Sequence, residues 1–364
     1  MDALSIEDIQ GKALAGNVAA QLELARRLYR NEENGKAFEW LRRAAATGHL
    51  EAKAMLGRRL LIDPLLDFEE GIRLTTEVAQ AGNGEAVHLL AILGASGRIG
   101  APNWPRVLQF LQRSAELGFP LARFQLALLA GDTKLSDALA AGDMPAPETW
   151  DRLRRAINIG SWLAAPGLRA VHRSPRIGVA ERFASPAVCH WLIERSRPHL
   201  KRAQIDALGS GTPVYDQART NSVADLDFGE VDVVLHLLRA RMLALSGPTV
   251  LTMEGSSILH YTVGQEFLPH FDFLDPAMPG HTQQVEQFGQ RVLTILIYLN
   301  EGYEGGETAF PVLGWRNKGN VGDALFFCNV DPAGKPDPLT LHAGLAPTKG
   351  EKWLLSQWVR GRAI

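Results

Sequence analysis

A five-position pattern that recurs four times in the first third of the chain limits what this sequence can fold into more than any other feature. Ala-x2-Gly-x3-Ala-x3-Leu-small occurs as Ala13, Gly16, Ala20, Leu24, Ala25; as Ala45, Gly48, Ala52, Leu56, Gly57; as Ala79, Gly82, Ala86, Leu90, Ala91; and as Ala115, Gly118, Ala122, Leu126, Ala127. The glycines lie 32, 34 and 36 residues apart, a period that belongs to stacked supersecondary units. Glycine after an alanine-rich helix end supplies a left-handed residue. Ala and Leu four residues apart share one face of the next helix, and small residues there let helices approach closely. Each unit therefore reads as a helical hairpin, and residues 5–131 as an α-helical solenoid. In the second unit, KAFEWLRRAAATG, Ala37, Leu41, Ala44 and Ala45 recur at helical spacing while Phe38 and Trp40 add bulk.

Composition narrows the function classes. The 364 residues are 46% hydrophobic and 21% charged, which excludes wholesale disorder. A formal net charge of −2 supplies no basic field for a nucleic-acid backbone or an anionic membrane, so neither is expected as a partner. No stretch reaches the ~20 apolar residues of a membrane span, and the opening MDALSIEDIQGK is acidic where a signal peptide is basic and then apolar; the expected location is cytoplasmic. Two cysteines, Cys189 and Cys328, are too few for a disulfide framework or a cysteine-built zinc site. A metal here must be held by histidine and carboxylate.

Residues 132–177 read as a connector, turn-rich in AAGDMPAPETW and helical in WDRLRRAINIGSWLA. Residues 178–364 form a separate domain. Ser185 and Pro186 suit a helix start ahead of Val188, Leu192 and Ile193, and a second helix is expected over Phe228 to Leu245. Short β-rich runs follow, ILHYTV, VLTILIYLN, ALFFCNV and WLLSQWV. With no helices alternating between them, they point to an antiparallel sandwich or jelly roll with flanking helices, so the whole chain is of α+β class.

The chemically loaded stretch is HYTVGQEFLPHFDFLDP, where one residue separates His270 from Asp272. On a strand such a pair points to one side and can meet one ion. Ten histidines and 40 acidic residues make one such pair expected by chance, and His49-Leu50-Glu51 is another. His342, seventy residues after Asp272, and Lys352, ten further on, raise the specificity. Two histidines and one carboxylate make the facial triad of non-heme Fe(II) oxygenases. A zinc hydrolase could use the same ligands, but an iron enzyme using 2-oxoglutarate also needs a buried cation for the distal carboxylate.

Residues 178–362 resemble the prolyl 4-hydroxylase branch of the Fe(II)/2-oxoglutarate dioxygenases, through Tyr261 nine residues before His270, the His270/Asp272 pair, RVLTILIYLNEGYEGGETAFP, KGNVGDALFFCNV, and His342 with Lys352. The repeats resemble Sel-type tetratricopeptide-like units. The resemblance implies a double-stranded β-helix with His270, Asp272 and His342 as iron ligands. It further implies Lys352, helped by Tyr261 and Thr308, at the far carboxylate of 2-oxoglutarate, and Fe(II), 2-oxoglutarate and O2 as cofactors, with ascorbate as an accessory. Gly305 and Gly306 suit a tight turn into a strand. Arg291 matches a family position at the substrate and equally suits a structural salt bridge. Phe267 departs from the pattern, since many peptide prolyl hydroxylases carry tyrosine three residues before the first ligand. The expected activity is hydroxylation of a C–H bond in a peptide or protein substrate presented by the repeats, proline leading, with succinate and CO2 released. Alternatives are a hydroxylase of a free amino acid or small metabolite whose repeats serve assembly, and a non-catalytic repeat adaptor sensing iron or 2-oxoglutarate. The segment between Asp272 and Arg291 reads as a long mobile loop closing over substrate, with His281 solvated.

Overall fold

The computed structural model describes residues 5–63, 65–206, 213–226, 230–246 and 251–361. It divides into two compact units, residues 1–158 and 159–364.

In the first unit the repeat pattern becomes eight successive helices: Ile6–Leu14, Val18–Arg30, Asn34–Ala46, Leu50–Ile62, Phe68–Gln80, Gly84–Ser96, Trp104–Glu116 and Pro120–Ala130. The four repeat glycines, Gly16, Gly48, Gly82 and Gly118, have φ of +88°, +90°, +91° and +94°, the left-handed conformation that only glycine enters without penalty. In three of the four hairpins the next residue caps the following helix: Asn17, His49 and Asn83 accept the amides of Ala20, Ala52 and Ala86. His49 is thus a helix cap rather than a metal ligand. Ala25, Ala45, Ala52, Leu56, Ala91, Ala115, Ala122 and Leu126 are all buried. Part of the segment 132–177 continues this unit as helices Thr133–Ala140 and Thr149–Ala156, with Trp150 buried under the Arg123 guanidinium. The single helix expected over WDRLRRAINIGSWLA is interrupted, and Ile159–Leu163 begins the second unit.

The second unit is an antiparallel sandwich. Among the described residues its larger sheet has nine strands, with Gln290–Tyr298 and Lys352–Gly361 paired at its centre; Ser256–Tyr261, Ser222–Leu226 and Lys201–Arg202 extend one side, Ala324–Cys328, Arg176–Ala180 and Arg169–Arg173 the other, and Leu251–Met253 pairs with the end of Lys352–Gly361. The smaller sheet runs Trp315–Asn317, Thr308–Phe310, His342–Gly344, Phe267–His270. Between them lies a core that includes Leu259, Tyr261, Leu296, Tyr298, Phe310, Phe327 and Leu354. Ser185 Oγ accepts the Val188 amide at the start of helix Pro186–Ser196. The next helix is Val233–Ser246, opened by Asp232 accepting the Leu235 amide; Phe228, expected within it, lies outside the described residues.

The segment after Asp272 differs from expectation. It contains a ten-residue helix, Pro279–Phe288, not a loop. Its base is closed by reciprocal hydrogen bonds between Gln290 and the Leu274 backbone, both 2.7 Å. Arg360 donates to the Gln284 and Gly289 carbonyls, and His281 Nδ1 accepts the Asp275 amide. These hydrogen bonds from Arg360 and Gln290, outside the helix, are why TQQVEQ takes up helix despite its turn-rich approach. No helix among the described residues is long and apolar enough to cross a membrane.

Gly57, the small fifth position of the second repeat, tests the packing. A Cβ there would sit 2.9 Å from Thr75 Oγ1 and 3.2 Å from the Thr75 amide nitrogen. Gly57→Leu is expected to destabilise the helical unit by about 1–3 kcal/mol through overpacking, read as an earlier loss of helical circular dichroism in urea. An unchanged midpoint would show that the helices are not in close contact there.

Candidate functional site

Strand pairing assembles the site. His342 lies directly opposite His270 in the smaller sheet, and their ring centroids are 4.3 Å apart. The strand ends at His270, so Asp272 sits just beyond it and turns its buried carboxylate back between the imidazoles. Asp272 Oδ1 is 3.7 Å from His270 Nε2, and Oδ2 is 3.5 Å from His342 Nε2. One ligand atom from each of the three residues lies within 4.8 Å of the others.

Each imidazole is oriented from behind. His270 Nδ1 pairs with the Leu268 carbonyl at 2.8 Å and His342 Nδ1 with the Thr340 carbonyl at 3.0 Å. A carbonyl accepts only, so both Nδ1 atoms carry the proton and both Nε2 lone pairs face Asp272, the arrangement of metal-binding histidine. Burial, followed by the neighbouring His342, holds His270 below its ordinary pKa, which keeps it neutral. Burial disfavours the Asp272 carboxylate, but the charge that His342 and His270 would carry in acid, the Thr294 hydroxyl and the Arg291 guanidinium outweigh it and hold the group below the usual carboxylate range. Two neutral nitrogens and one carboxylate on one side of a point fit Fe(II) with positions left open.

The same cavity, about 190 Å³, is lined by Tyr261, His270, Asp272, Thr308, His342 and Lys352. Lys352 stands opposite Tyr261 in the larger sheet. Its side chain is 0% exposed, and Nζ has no hydrogen-bond partner and lies 5.1 Å over the Tyr261 ring. Burial pulls its pKa down to about 7, opposed by Glu307. A buried ammonium without a partner is costly, and this one is aimed into a cavity that has room for an anion. Thr308 Oγ1 lies 3.0 Å from the Tyr298 hydroxyl, which also has the Asn317 carbonyl as an acceptor at 3.3 Å. Two glycines clear the space: a Cβ at Gly344 would lie 3.1 Å from the Tyr261 hydroxyl, and one at Gly306 would lie 3.4 Å from Lys352 Cδ. Gly305 and Gly306 have φ of +66° and +70°, as the tight turn requires.

Phe267 is half-buried and stacks on His270 with centroids 3.5 Å apart and planes 14° from parallel. Arg291 makes the salt bridge. Its guanidinium grips both Glu254 oxygens, at 2.7 and 2.9 Å, and lies 3.6 Å over Trp358. Arg360 joins the same carboxylate at 2.6 Å. Arg291 is not among the residues that line the cavity.

Three residues that the sequence reading did not single out belong to the site. Arg219 bridges to Phe267 in the backbone, lays its guanidinium 4.6 Å over that ring and lines the cavity, with Asn221 Oδ1 and the Gln204 carbonyl as neutral partners. Thr294 donates to Asp272 Oδ2 at 2.7 Å and accepts from Asn329 Nδ2 at 2.9 Å. A lone hydroxyl in the apolar run VLTILIYLN was the one available signal; nothing in ARTNSV marks Arg219.

Residues 256–360 match the 2OG-Fe(II) oxygenase superfamily. The chain is 32% identical over 206 residues to the probable prolyl 4-hydroxylase 10 of Arabidopsis thaliana, covering 51% of this chain and 69% of that protein. Among solved structures, the 2OG complex of the viral collagen prolyl hydroxylase of Paramecium Bursaria Chlorella virus-1 is 26% identical with a TM-score of 0.40, covering 51% of this chain and 96% of that one. A Sel1 repeat protein from Oxalobacter formigenes is 20% identical with a TM-score of 0.31, covering 43% of this chain and 66% of that one.

Mn(II), an air-stable stand-in for Fe(II), reads the metal centre directly. Wild type is expected to bind one equivalent, while Asp272→Ala and His342→Ala keep the β-rich circular dichroism and lose the binding. Wild-type affinity in either variant would remove that residue from the ligand set.

Proposed function

The chain belongs to the 2-oxoglutarate/Fe(II)-dependent oxygenases of the prolyl 4-hydroxylase type, and on that footing we propose that it hydroxylates a C–H bond of a peptide or protein residue, proline leading. When bound, Fe(II) with 2-oxoglutarate and O2 supplies the oxidising power for C–H hydroxylation, with succinate and CO2 as co-products. The chain's own residues supply the holding and the aiming. His270 Nε2, His342 Nε2 and Asp272 take the metal from one side. Lys352 Nζ takes the far carboxylate of 2-oxoglutarate, with the Tyr261 and Thr308 hydroxyls beside it. Phe310, Phe327 and Leu354 in the surrounding core keep water away from the pair. In this proposal ascorbate is the accessory reductant, and the helical repeats offer the extended surface on which a protein substrate would lie. Arg291 acts through Glu254 as a brace beside the site.

The observation that carries the reading is the fully buried, unpartnered Lys352 Nζ in one cavity with the His-Asp-His cluster. A zinc hydrolase has no use for it, and an adaptor that had lost both catalysis and 2-oxoglutarate binding would not need to keep it. Phe267 favours a second reading on substrate alone. An aromatic ring without a hydroxyl beside the first ligand gives no polar contact at the target carbon, which suits a free amino acid or small metabolite as well as a prolyl peptide.

Anaerobic titration of the full chain with Fe(II) and 2-oxoglutarate tests the cofactor site through the visible charge-transfer band of the chelate. The band is expected in wild type, absent in Asp272→Ala and shifted to far higher 2-oxoglutarate in Lys352→Met. No band with iron bound would overturn the oxygenase reading. Because an unpaired buried charge is destabilising, Lys352→Met is also expected to raise the melting temperature of the ligand-free protein. Succinate release with a proline-rich peptide, set against free proline, then separates the two substrate readings.

Lys352 gives 2-oxoglutarate binding a pH dependence of defined sign. With its pKa near 7, the amine is charged below that pH and neutral above it. Glu307, Tyr261 and Asp272, together with Arg219, His270 and His342 of the same cavity, are ionisable groups around it. Binding a carboxylate requires the charged form, so above pH 7 each binding event takes up a proton and affinity falls by at most about tenfold per pH unit. Calorimetry at pH 8 in two buffers of different ionisation enthalpy measures that proton. A flat affinity between pH 6.5 and 8.5 would mean that Lys352 stays charged throughout.

A further inference from the structure

Two of the candidate metal ligands are joined behind the site by a series of hydrogen bonds relayed through Asn329, Asp337 and Thr340. Starting at Asp272, Oδ2 accepts the Thr294 hydroxyl at 2.7 Å, and Thr294 Oγ1 accepts Asn329 Nδ2 at 2.9 Å. The Asn329 main-chain carbonyl accepts the Asp337 amide at 3.0 Å, while the side-chain Oδ1 is buried without a partner. The Asp337 carbonyl accepts the Thr340 hydroxyl at 2.6 Å, and the Thr340 carbonyl pairs with His342 Nδ1 at 3.0 Å. Thr294, Asn329 and Thr340 are each 0% exposed. The two ends of the series face each other across the site, with His342 Nε2 3.5 Å from Asp272 Oδ2.

We propose that Asn329 is the positioning residue at the midpoint of this series, fixing the Asp272 carboxylate for the metal through the Thr294 hydroxyl and linking it to the segment that carries His342. The argument is one of proton direction. A threonine hydroxyl has one proton. Because the Asn329 amide nitrogen donates into Thr294 Oγ1, that proton can only go to Asp272, where it satisfies Oδ2 and leaves Oδ1 with its lone pairs open to an ion. The reverse amide orientation would draw the Thr294 proton to Asn329 and strip a buried carboxylate of a charge-assisted bond, the more expensive loss. Asn329 is held for this task by its own backbone: its amide donates to the Val292 carbonyl at 2.9 Å, two residues from Thr294 on the same strand. Neither Thr294 nor Asn329 lines the cavity, so their influence on the metal runs through Asp272.

This inference rests on the metal-centre reading, and the test separates the two. Mn(II) affinity of the full chain is measured for wild type, Thr294→Val, Asn329→Leu, the double variant and Thr294→Ser, with the melting temperature of each metal-free protein alongside. Thr294→Val and Asn329→Leu are each expected to weaken binding by about tenfold or more, as loss of a group supporting a ligand does. The double variant is expected to be no weaker than Thr294→Val alone, since Asn329 acts through that hydroxyl, and Thr294→Ser to bind within about twofold of wild type. Asn329→Ala replaces Asn329→Leu should the larger side chain prevent folding. Wild-type Mn(II) affinity in the Asn329 variant, whatever its melting temperature, would overturn the proposal, as would losses that multiply in the double variant. Absence of Mn(II) binding in wild type would bring down the metal-centre reading, and this inference with it.

Discussion

The register that sets His270 opposite His342 is the constraint on which the rest of the site depends. Two imidazoles on neighbouring antiparallel strands can meet one ion only if they are aligned, and a one-residue slip would turn one of them to the other face of the sheet. Everything nearby serves that alignment. The carbonyls of Leu268 and Thr340 fix each ring from two residues upstream, and Phe267 stacks on the more accessible ring. The strand ends at once after His270, which frees Asp272 to turn inward. Lys352 and Tyr261 come from the opposing sheet, so their separation from the histidines is set by the thickness of the sandwich, about 10 Å between sheets. Core residues such as Phe310, Phe327 and Leu354 thereby act as spacers between the groups that hold a metal and the group that holds an anion.

The chain belongs to an oxygenase family, yet its two units are legible in the sequence for different reasons. The repeats are local. A glycine at +90° and the Ala and Leu four residues apart act within a single hairpin, so their spacing can be read from the chain alone, and the left-handed glycines are where the pattern puts them. The strands ILHYTV, VLTILIYLN, ALFFCNV and WLLSQWV were equally readable, each a short apolar run between turn signals. The His-Asp-His set was readable because its three members differ chemically from their surroundings. What pairs with what was not readable. The opposition of His342 and His270 joins segments far apart in sequence, and periodicity within a strand carries no information about its neighbour. Arg219 was invisible for the same reason: an arginine in ARTNSV acquires meaning only when a backbone bridge brings it over Phe267. Arg291 was ambiguous because its partner, Glu254, lies on a separate segment. The helix Pro279–Phe288 was missed because long-range hydrogen bonds from Arg360 and Gln290, not local propensity, organise that segment.

Charge balance explains why so polar a cavity is stable inside an apolar sandwich and why its two ligands belong together. Without ligands, the interior holds the Asp272 carboxylate, the Arg219 guanidinium and the Lys352 amine, whose pKa burial has lowered to about 7 and whose Nζ has no hydrogen-bond partner. A divalent cation alone would push Lys352 further toward its neutral form. A dicarboxylate alone would face Asp272 with only Lys352 and Arg219 to meet it. With both present and Lys352 protonated, the cation would face Asp272 and the near carboxylate while Lys352 would face the far one, and the low dielectric that penalises any partial loading then strengthens each attraction. The burial that makes Lys352 an expense in the empty protein is therefore what couples the two halves of the site: each ligand creates the electrostatic condition in which the other is tolerated.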